Sequence, residues 1–403
     1  MRYDALDSWR GICATMVMVY HFAIASHFYT VDIIRNAFLF VDFFFVLSGF
    51  VIAINYQERL MSGFGVGKFM MLRLGRVWPL HVAILILYIV LEVYLIATPM
   101  LAEIAGREPF GDERSSVEAI FTNLLLVHSL PGVHENVTWN GPSWSISVEF
   151  YTYLIFAVGL WIVSKLPRPN VWLVLGLIAV MVLAPIIIYQ FGGRQNIFLT
   201  TGGGLIRCVF GFAAGVSASM LFTRFRDPIM GFFSNRLRAT VVETLVVLAV
   251  IAFCSMVGFS SVNLLAPFVF LIAIIAFAPQ AGAISSVLTT RPFLYVGALS
   301  YSIYMVHYIV QSVLYLVHGW VAARTGTEIF DRLDGYEVPY DQVPTENLLL
   351  GDAWVIGISA LVIGLSALTY HYIEKPGRSW MRDRVSGKHR PGRTVAPKQT
   401  PSV

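Results

Sequence analysis

Ser8-Trp-Arg10-Gly-Ile-Cys-Ala-Thr-Met-Val-Met-Val-Tyr-His21-Phe-Ala-Ile-Ala-Ser-His-Phe28 opens the chain with an apolar run that carries a cation near one end and an imidazole deep inside. As a helix, the step from Arg10 to His21 turns about 1100° and rises roughly 16 Å, so the two residues share a face. A run of this length is long enough to cross a bilayer. Ionisable groups are costly in hydrocarbon, and inside a span they point to a buried polar path rather than to a lipid-facing surface.

The composition generalises the point. Of 403 residues, 57% are hydrophobic and 13% charged, with a mean hydropathy of +0.70. Soluble domains are nearer 25% charged. The apolar runs are continuous rather than alternating, which argues for helices and against a membrane barrel. The expected fold is all-α, a polytopic integral membrane bundle of about ten transmembrane helices, near 8–28, 36–56, 77–97, 144–164, 170–190, 202–222, 239–257, 263–279, 294–318 and 353–373. The eighth of these is short and holds Pro267. Ala23-Ile-Ala25 resembles a signal-peptide cleavage site, but a retained first span is expected, since Asp4 and Asp7 accompany Arg2 in the N-terminal region. Cys13, Cys208 and Cys254 lie in apolar runs without metal or disulfide spacing and read as small core residues. No metal site and no nucleic-acid partner is expected.

Lys and Arg fix the orientation. Arg59, Lys68, Arg73, Arg76, Lys165, Arg168, Arg224, Arg226, Arg236, Arg238 and Arg291 fall on one side together with the basic tail, which makes both termini cytoplasmic. The opposite loops, about 98–143 and 319–352, carry Arg107, Arg114, Arg324 and Arg332. Against these stand thirteen acids, among them Glu113, Glu135, Asp334, Glu337 and Asp341. Ser116–Leu130 is too short to span and is expected to lie along the outer interface as an amphipathic helix. Residues 1–375 form the membrane domain, and 376–403 a basic tail expected to be disordered.

With that topology, His21, Asp42, Glu149 and His307 arrive at one outer layer from four distant segments. Arg73 and Arg76 are helix-face neighbours, and guanidinium geometry suits phosphate oxygens. The sequence leaves two readings of the acids open. Asp42 or Glu149 fixes the His21 tautomer, or they pair with buried Arg207. Gly63-Phe-Gly65-Val-Gly67-Lys68 fails the phosphate-loop pattern, with three residues between the outer glycines and Phe69 where Ser or Thr belongs. It reads as a connection, as Gly202-Gly203-Gly204 reads as a helix entry.

The ordered motifs Arg10-x10-His21, Val41-Asp-Phe-Phe-Phe-Val-Leu-Ser-Gly-Phe50, Arg73-x-x-Arg76 with Trp78-Pro79, Trp144-Ser-Ile-Ser-Val-Glu149, Ser300-Tyr-Ser-Ile-Tyr304-Met-Val-His307 and His371-Tyr-Ile-Glu-Lys-Pro376 resemble the acyltransferase-3 family of membrane O-acyltransferases. The resemblance implies ten spans in a bacterial plasma membrane, without a fused esterase-like domain. It also implies an acyl-CoA donor, acetyl-CoA being the expected form, arriving from the cytoplasm, and a polysaccharide or glycolipid hydroxyl as acceptor. His21 is then the catalytic residue, and Asp42 and Glu149 are read, apart from the resemblance, as candidates to assist it. The resemblance also makes Arg10, Arg73 and Arg76 donor-binding, and His307, Arg207, Trp144 and Tyr301 are the further candidates for substrate contact. The roughly 16 Å from Arg10 to His21 is of the order of an extended pantetheine arm. His21 is read either as general base or as acyl-accepting nucleophile. The competing class is a proton-coupled carrier of a small anion or sugar, relaying protons through Asp42, Glu149 and His307.

Overall fold

A computed structural model describes residues 3–106, 108–192, 199–333, 343–344 and 346–387. Arg107, Asp334, Glu337, Asp341 and the tail from residue 388 onward lie outside the described residues. The protein is an all-α membrane bundle, with an isolated bridge between Ile24 and Arg332 as the β pairing among the described residues. Helices stand at all ten predicted positions. They are α1 (Asp4–Phe22), α2 (Phe40–Met61), α3 (Val66–Ala97), α5 (Trp144–Val163), α6 (Pro169–Gly192), α7 (Gly204–Arg224), α8 (Arg236–Val257), α9 (Ala266–Phe277), α10 (Arg291–Thr325) and α11 (Leu348–Thr369). Between α3 and α5 lies the short α4 (Val117–Leu124), and α12 (Lys375–Val385) comes after α11.

Eight of the described helical stretches are long and apolar enough to cross a membrane, and α1 and α9 are the exceptions. The reason differs for each. The start of α1 carries Asp4, Asp7 and Arg10, and α9 has only 12 residues. Both are packed within the bundle: Leu6, Cys13, Ala14, Val17 and Met18 of α1 and Phe270, Ile274 and Phe277 of α9 are buried. The peripheral helices are the reverse. On α6, Val171, Leu175, Ile178, Val182 and Ile186 are exposed, as are Val241, Leu245 and Leu248 on α8. Apolar side chains in such number face lipid rather than water.

Two close crossings assemble the centre. A Cβ on Gly11 of α1 would lie 2.6 Å from the Gly297 backbone nitrogen of α10. On α2, a Cβ at Gly49 would overlap the Phe212 carbonyl of α7, and one at Gly215 would overlap the Val46 carbonyl. Small residues let membrane helices approach backbone to backbone, where dispersion and not the hydrophobic effect drives association. The paired helices α1–α10 and α2–α7 therefore fix the positions of His21, His307, Asp42 and Arg207.

α4 bears out the amphipathic helix expected near residue 116. Ser116 caps it, accepting from Ala119 N at 3.2 Å. Ala119 and Asn123 face inward while Val117, Phe121 and Leu125 are exposed along one stripe. The tail departs from expectation. A π-helical turn, Tyr370–Glu374, leads directly into α12, so residues 376–385 are helical rather than disordered. They are held there by packing: a Cβ on Gly377 would lie 2.6 Å from the Pro79 ring of α3. The three cysteines are buried and free.

Candidate active site

The unbroken α1 delivers Arg10 to one cavity and His21 to another. The inner cavity, about 50 Å³, is lined by Arg10, Ser48, Ser145, Glu149, Tyr301 and Tyr304, with Val41 and Phe44 among its apolar walls. Glu149 accepts hydrogen bonds from Ser48 and, at 2.7 Å, from Tyr153. Tyr301 donates to the Val77 carbonyl at 2.5 Å. Arg10 lies 3.9 Å from Asp7 and interacts electrostatically with Arg76 and Glu149. Arg73 donates to Tyr56 at 3.3 Å and sits 5.1 Å from its ring centre, while its Nε is buried without a partner. The three arginines singled out in the sequence thus meet at one end of the bundle, from α1 and α3.

The outer cavity, about 240 Å³, is lined by Tyr20, His21, Trp144, Arg207, Tyr304 and Tyr308 among others. Val41 and Tyr304 line both cavities, so these two side chains divide them. Tyr304 is held in place by donating to the Pro142 carbonyl at 2.9 Å, with Ser145 Oγ at 2.8 Å.

His21 Nδ1 lies 2.8 Å from the Val17 carbonyl one turn back. A carbonyl only accepts, so Nδ1 carries the proton and the lone pair belongs to Nε2. His307 repeats the arrangement, with Nδ1 3.1 Å from the Ile303 carbonyl and Nε2 buried without a partner. The two rings lie 4.9 Å apart between centroids, and Tyr308 meets His21 edge-on at 5.8 Å. Gln311 donates to the His21 carbonyl. Tyr308 and Gln311 carry no signal in hydropathy or spacing, although both lie within about one turn of His307 on α10.

The acids correct the sequence reading. Neither Asp42 nor Glu149 orients His21, because that nitrogen is taken by the Val17 carbonyl. Asp42 accepts from Arg207 Nε at 3.0 Å and Nη2 at 2.7 Å, in a buried bidentate pair. This is the second of the two alternatives left open. Glu149 lies with Arg10 in the inner cavity, so the expected single layer of four groups is really two levels. An α-helical histidine always has an i−4 carbonyl within reach, a local partner that an argument from depth alone leaves out. The acid–histidine relay of a carrier is not assembled among the described residues: Asp42 is closed by Arg207 and Glu149 by Ser48 and Tyr153. Arg207 also places its guanidinium 5.2 Å from the Trp144 ring centre, which puts both at the outer cavity wall. Tyr301 belongs instead to the inner one.

His81 and His128 stack at 5.5 Å with a 9° tilt. Burial, and secondarily the neighbouring His81, push His128 in the outer connection down to about 3. Its Nε2 lies 3.2 Å from the Ser143 carbonyl, just before α5. This pair braces the entry to α5 and does not line either cavity.

Comparison with known proteins agrees with the geometry. The chain is 30% identical over 201 residues to the acyltransferase MdmB of Streptomyces mycarofaciens, covering 47% of this chain and 48% of that protein. It therefore spans about half the length of that relative. It is 31% identical over 163 residues to protein 2 in the picA locus of Rhizobium radiobacter, covering 39% of this chain and 81% of that one. No solved structure matches. The acyltransferase domain of the acyltransferase-3 family matches residues 3–333, a stretch that holds every residue lining the two cavities, and the chain belongs to that family of membrane acyltransferases.

Proposed function

We propose that the protein transfers an acyl group, acetyl by preference, from acyl-CoA on the cytoplasmic side to a sugar hydroxyl of a polysaccharide or glycolipid precursor, in the plasma membrane of a bacterium. Both termini are cytoplasmic in this reading. The observation that carries it is the pair of adjoining cavities, the inner lined by Arg10 and the outer by His21, with Val41 and Tyr304 between them and with Arg76 and Arg73 in electrostatic range at the Arg10 end. The arginines take the phosphates of the donor, for which guanidinium forks are suited. The thioester arm runs past Tyr304, and the roughly 16 Å along α1 matches its reach.

His21 acts as general base. With the proton fixed on Nδ1 by the Val17 carbonyl, Nε2 accepts the proton of the acceptor hydroxyl as that oxygen attacks the thioester carbonyl. The C–S bond then breaks, and the imidazolium returns its proton to the leaving thiolate. Holding one tautomer in advance removes a reorganisation step from the reaction. Trp144 and Arg207 form the acceptor-side wall, with Asp42 fixing Arg207 rather than touching the substrate. His307 packs behind His21, ring to ring at 4.9 Å, and backs it from outside the cavity lining. Glu149 balances the charge of the arginines at the inner end.

Mass spectrometry of envelope and secreted glycans from cells with and without the protein tests this reading. The expected result is an acyl group missing from one sugar position when the protein is absent. Its mass names the group. Identical glycans in the two strains would overturn the assignment of acceptor.

A further inference from the structure

The basic end of the bundle draws on more of the chain than its cavity walls show. α12 crosses α3 within the Arg73-x-x-Arg76 turn. A Cβ on Gly75 would lie 2.8 Å from Met381 Cγ, and one on Gly377 would lie 2.6 Å from Pro79 Cγ. Arg76 and Arg378 are the residues immediately after these two glycines. The crossing therefore pins two guanidinium-bearing positions beside each other. Arg378 lies within electrostatic range of both Arg76 and Arg10.

Like charges held together in a partly dehydrated site repel, and Asp7, Glu149 and Glu374 offset the four arginines only in part. Glu149 already accepts from Ser48 and Tyr153. Glu374 is buried, accepting from Ser302 at 2.9 Å and from Arg378 at 3.1 Å. Arg76 has no hydrogen bond or ion pair among the described residues, and Arg73 Nε is buried and unpartnered. Four guanidinium groups thus share a site with three carboxylates, Asp7, Glu149 and Glu374, and donor hydrogens remain for an anion. The π-helical turn Tyr370–Glu374 sets this register. Its extra residue rotates α12 by about 100° relative to a continuous α-helix. The turn leaves Glu374 under Ser302, the neighbour of Tyr301, and Arg378 by Arg76. The Arg378 side chain is 38% exposed and Glu374 only 1%, so the charge stands at the rim while its anchor is inside.

We infer that Arg378 is a fourth arginine of the donor site, contacting a phosphate of the acyl-CoA headgroup at the cytoplasmic rim. The inference rests on the donor reading of the proposed function. The same phosphate chemistry could come from a lipid headgroup, so the test separates the two sources. The full chain, purified and placed in nanodiscs of zwitterionic lipid, is titrated with CoA over a range of salt. Arg378→Gln is expected to weaken CoA binding about tenfold, the loss of one charge-assisted contact, and to flatten the salt dependence of Kd. Arg378→Lys recovers most of the affinity. Should Arg378→Gln not fold because Glu374 loses its partner, the Glu374→Gln/Arg378→Gln pair is titrated in its place. CoA affinity and salt dependence equal to wild type would overturn the inference and leave Arg378 as a lipid anchor. Equal losses in the Gln and Lys variants with the wild-type salt dependence would overturn it in favour of a structural brace. A wild-type protein that binds no CoA would defeat the donor reading as well.

Discussion

Removing the Asp42 carboxylate should unfold this protein rather than merely slow it. Arg207 is 1% exposed, and its head is satisfied by Asp42 at two points, with weaker contacts to the Phe38 carbonyl at 3.3 Å and the Leu199 carbonyl at 3.4 Å. Asp42→Ala leaves a full positive charge in the bundle centre with two backbone acceptors in place of a carboxylate. Breaking a buried pair from one side costs about 3–5 kcal/mol. Replacing both partners by apolar residues of similar shape, Asp42→Leu with Arg207→Met, avoids the stranded charge and should recover most of that loss. The assay is the fraction of detergent-extracted protein that stays monodisperse after a heating series, read beside acyl transfer. Asp42→Ala is expected to lose folded protein and activity together. The double variant should regain folding, with activity limited only by the missing acceptor wall. A stable, correctly folded Asp42→Ala with abolished turnover would refute the argument and return Asp42 to the chemistry.

Packing and charge set three further outcomes. Gly215→Val places a side chain into the Val46 carbonyl; with overpacking costing about 1–3 kcal/mol or more, the yield of folded protein should fall sharply while Gly231→Ala, with open space around it, leaves it unchanged. Arg73→Gln should raise KM for acyl-CoA with little change in kcat, since the loss is of ground-state and transition-state binding alike; steady-state rates over a donor series check this. His128 is neutral when folded, with its proton affinity lowered by burial and by His81. The unfolded chain therefore binds the extra proton first, and stability is full above about pH 6.5 and falls as pH drops from there toward about 3, by at most about 1.4 kcal/mol per unit. Thermal inactivation measured across that window should show this slope, and His128→Asn should reduce it.

The sequence is most legible where the physics is one-dimensional. A continuous apolar run forms a helix whatever it packs against, so helices stand at the expected positions, eight of them long and apolar enough to cross a membrane. The Arg10-to-His21 spacing comes from helical rise alone, and the structure indeed sets the two residues at successive cavities along one helix. Arg73 and Arg76 need only the turn of a helix and the side on which cations collect. Rotation about each helix axis is the part that stays hidden. Counting residues along the spans puts Glu149 and Asp42 at similar depths, yet one meets Ser48 and Tyr153 at the inner level and the other Arg207 at the outer. Nothing in hydropathy distinguishes those faces. Arg378 is hidden for a different reason. A basic residue past the last apolar run looks like anchoring, and the π turn that brings it back against α3 leaves no mark in composition.

Entry of acyl groups from the arginine side and their delivery by His21 can be tested in one step, with inside-out vesicles that carry the full chain and are supplied externally with radiolabelled acyl-CoA. Labelled glycan is expected in these vesicles, with little or none when the donor meets only the opposite face, and a loss of about 10²- to 10⁴-fold with His21→Ala. Undiminished labelling by the His21→Ala protein would contradict the assignment.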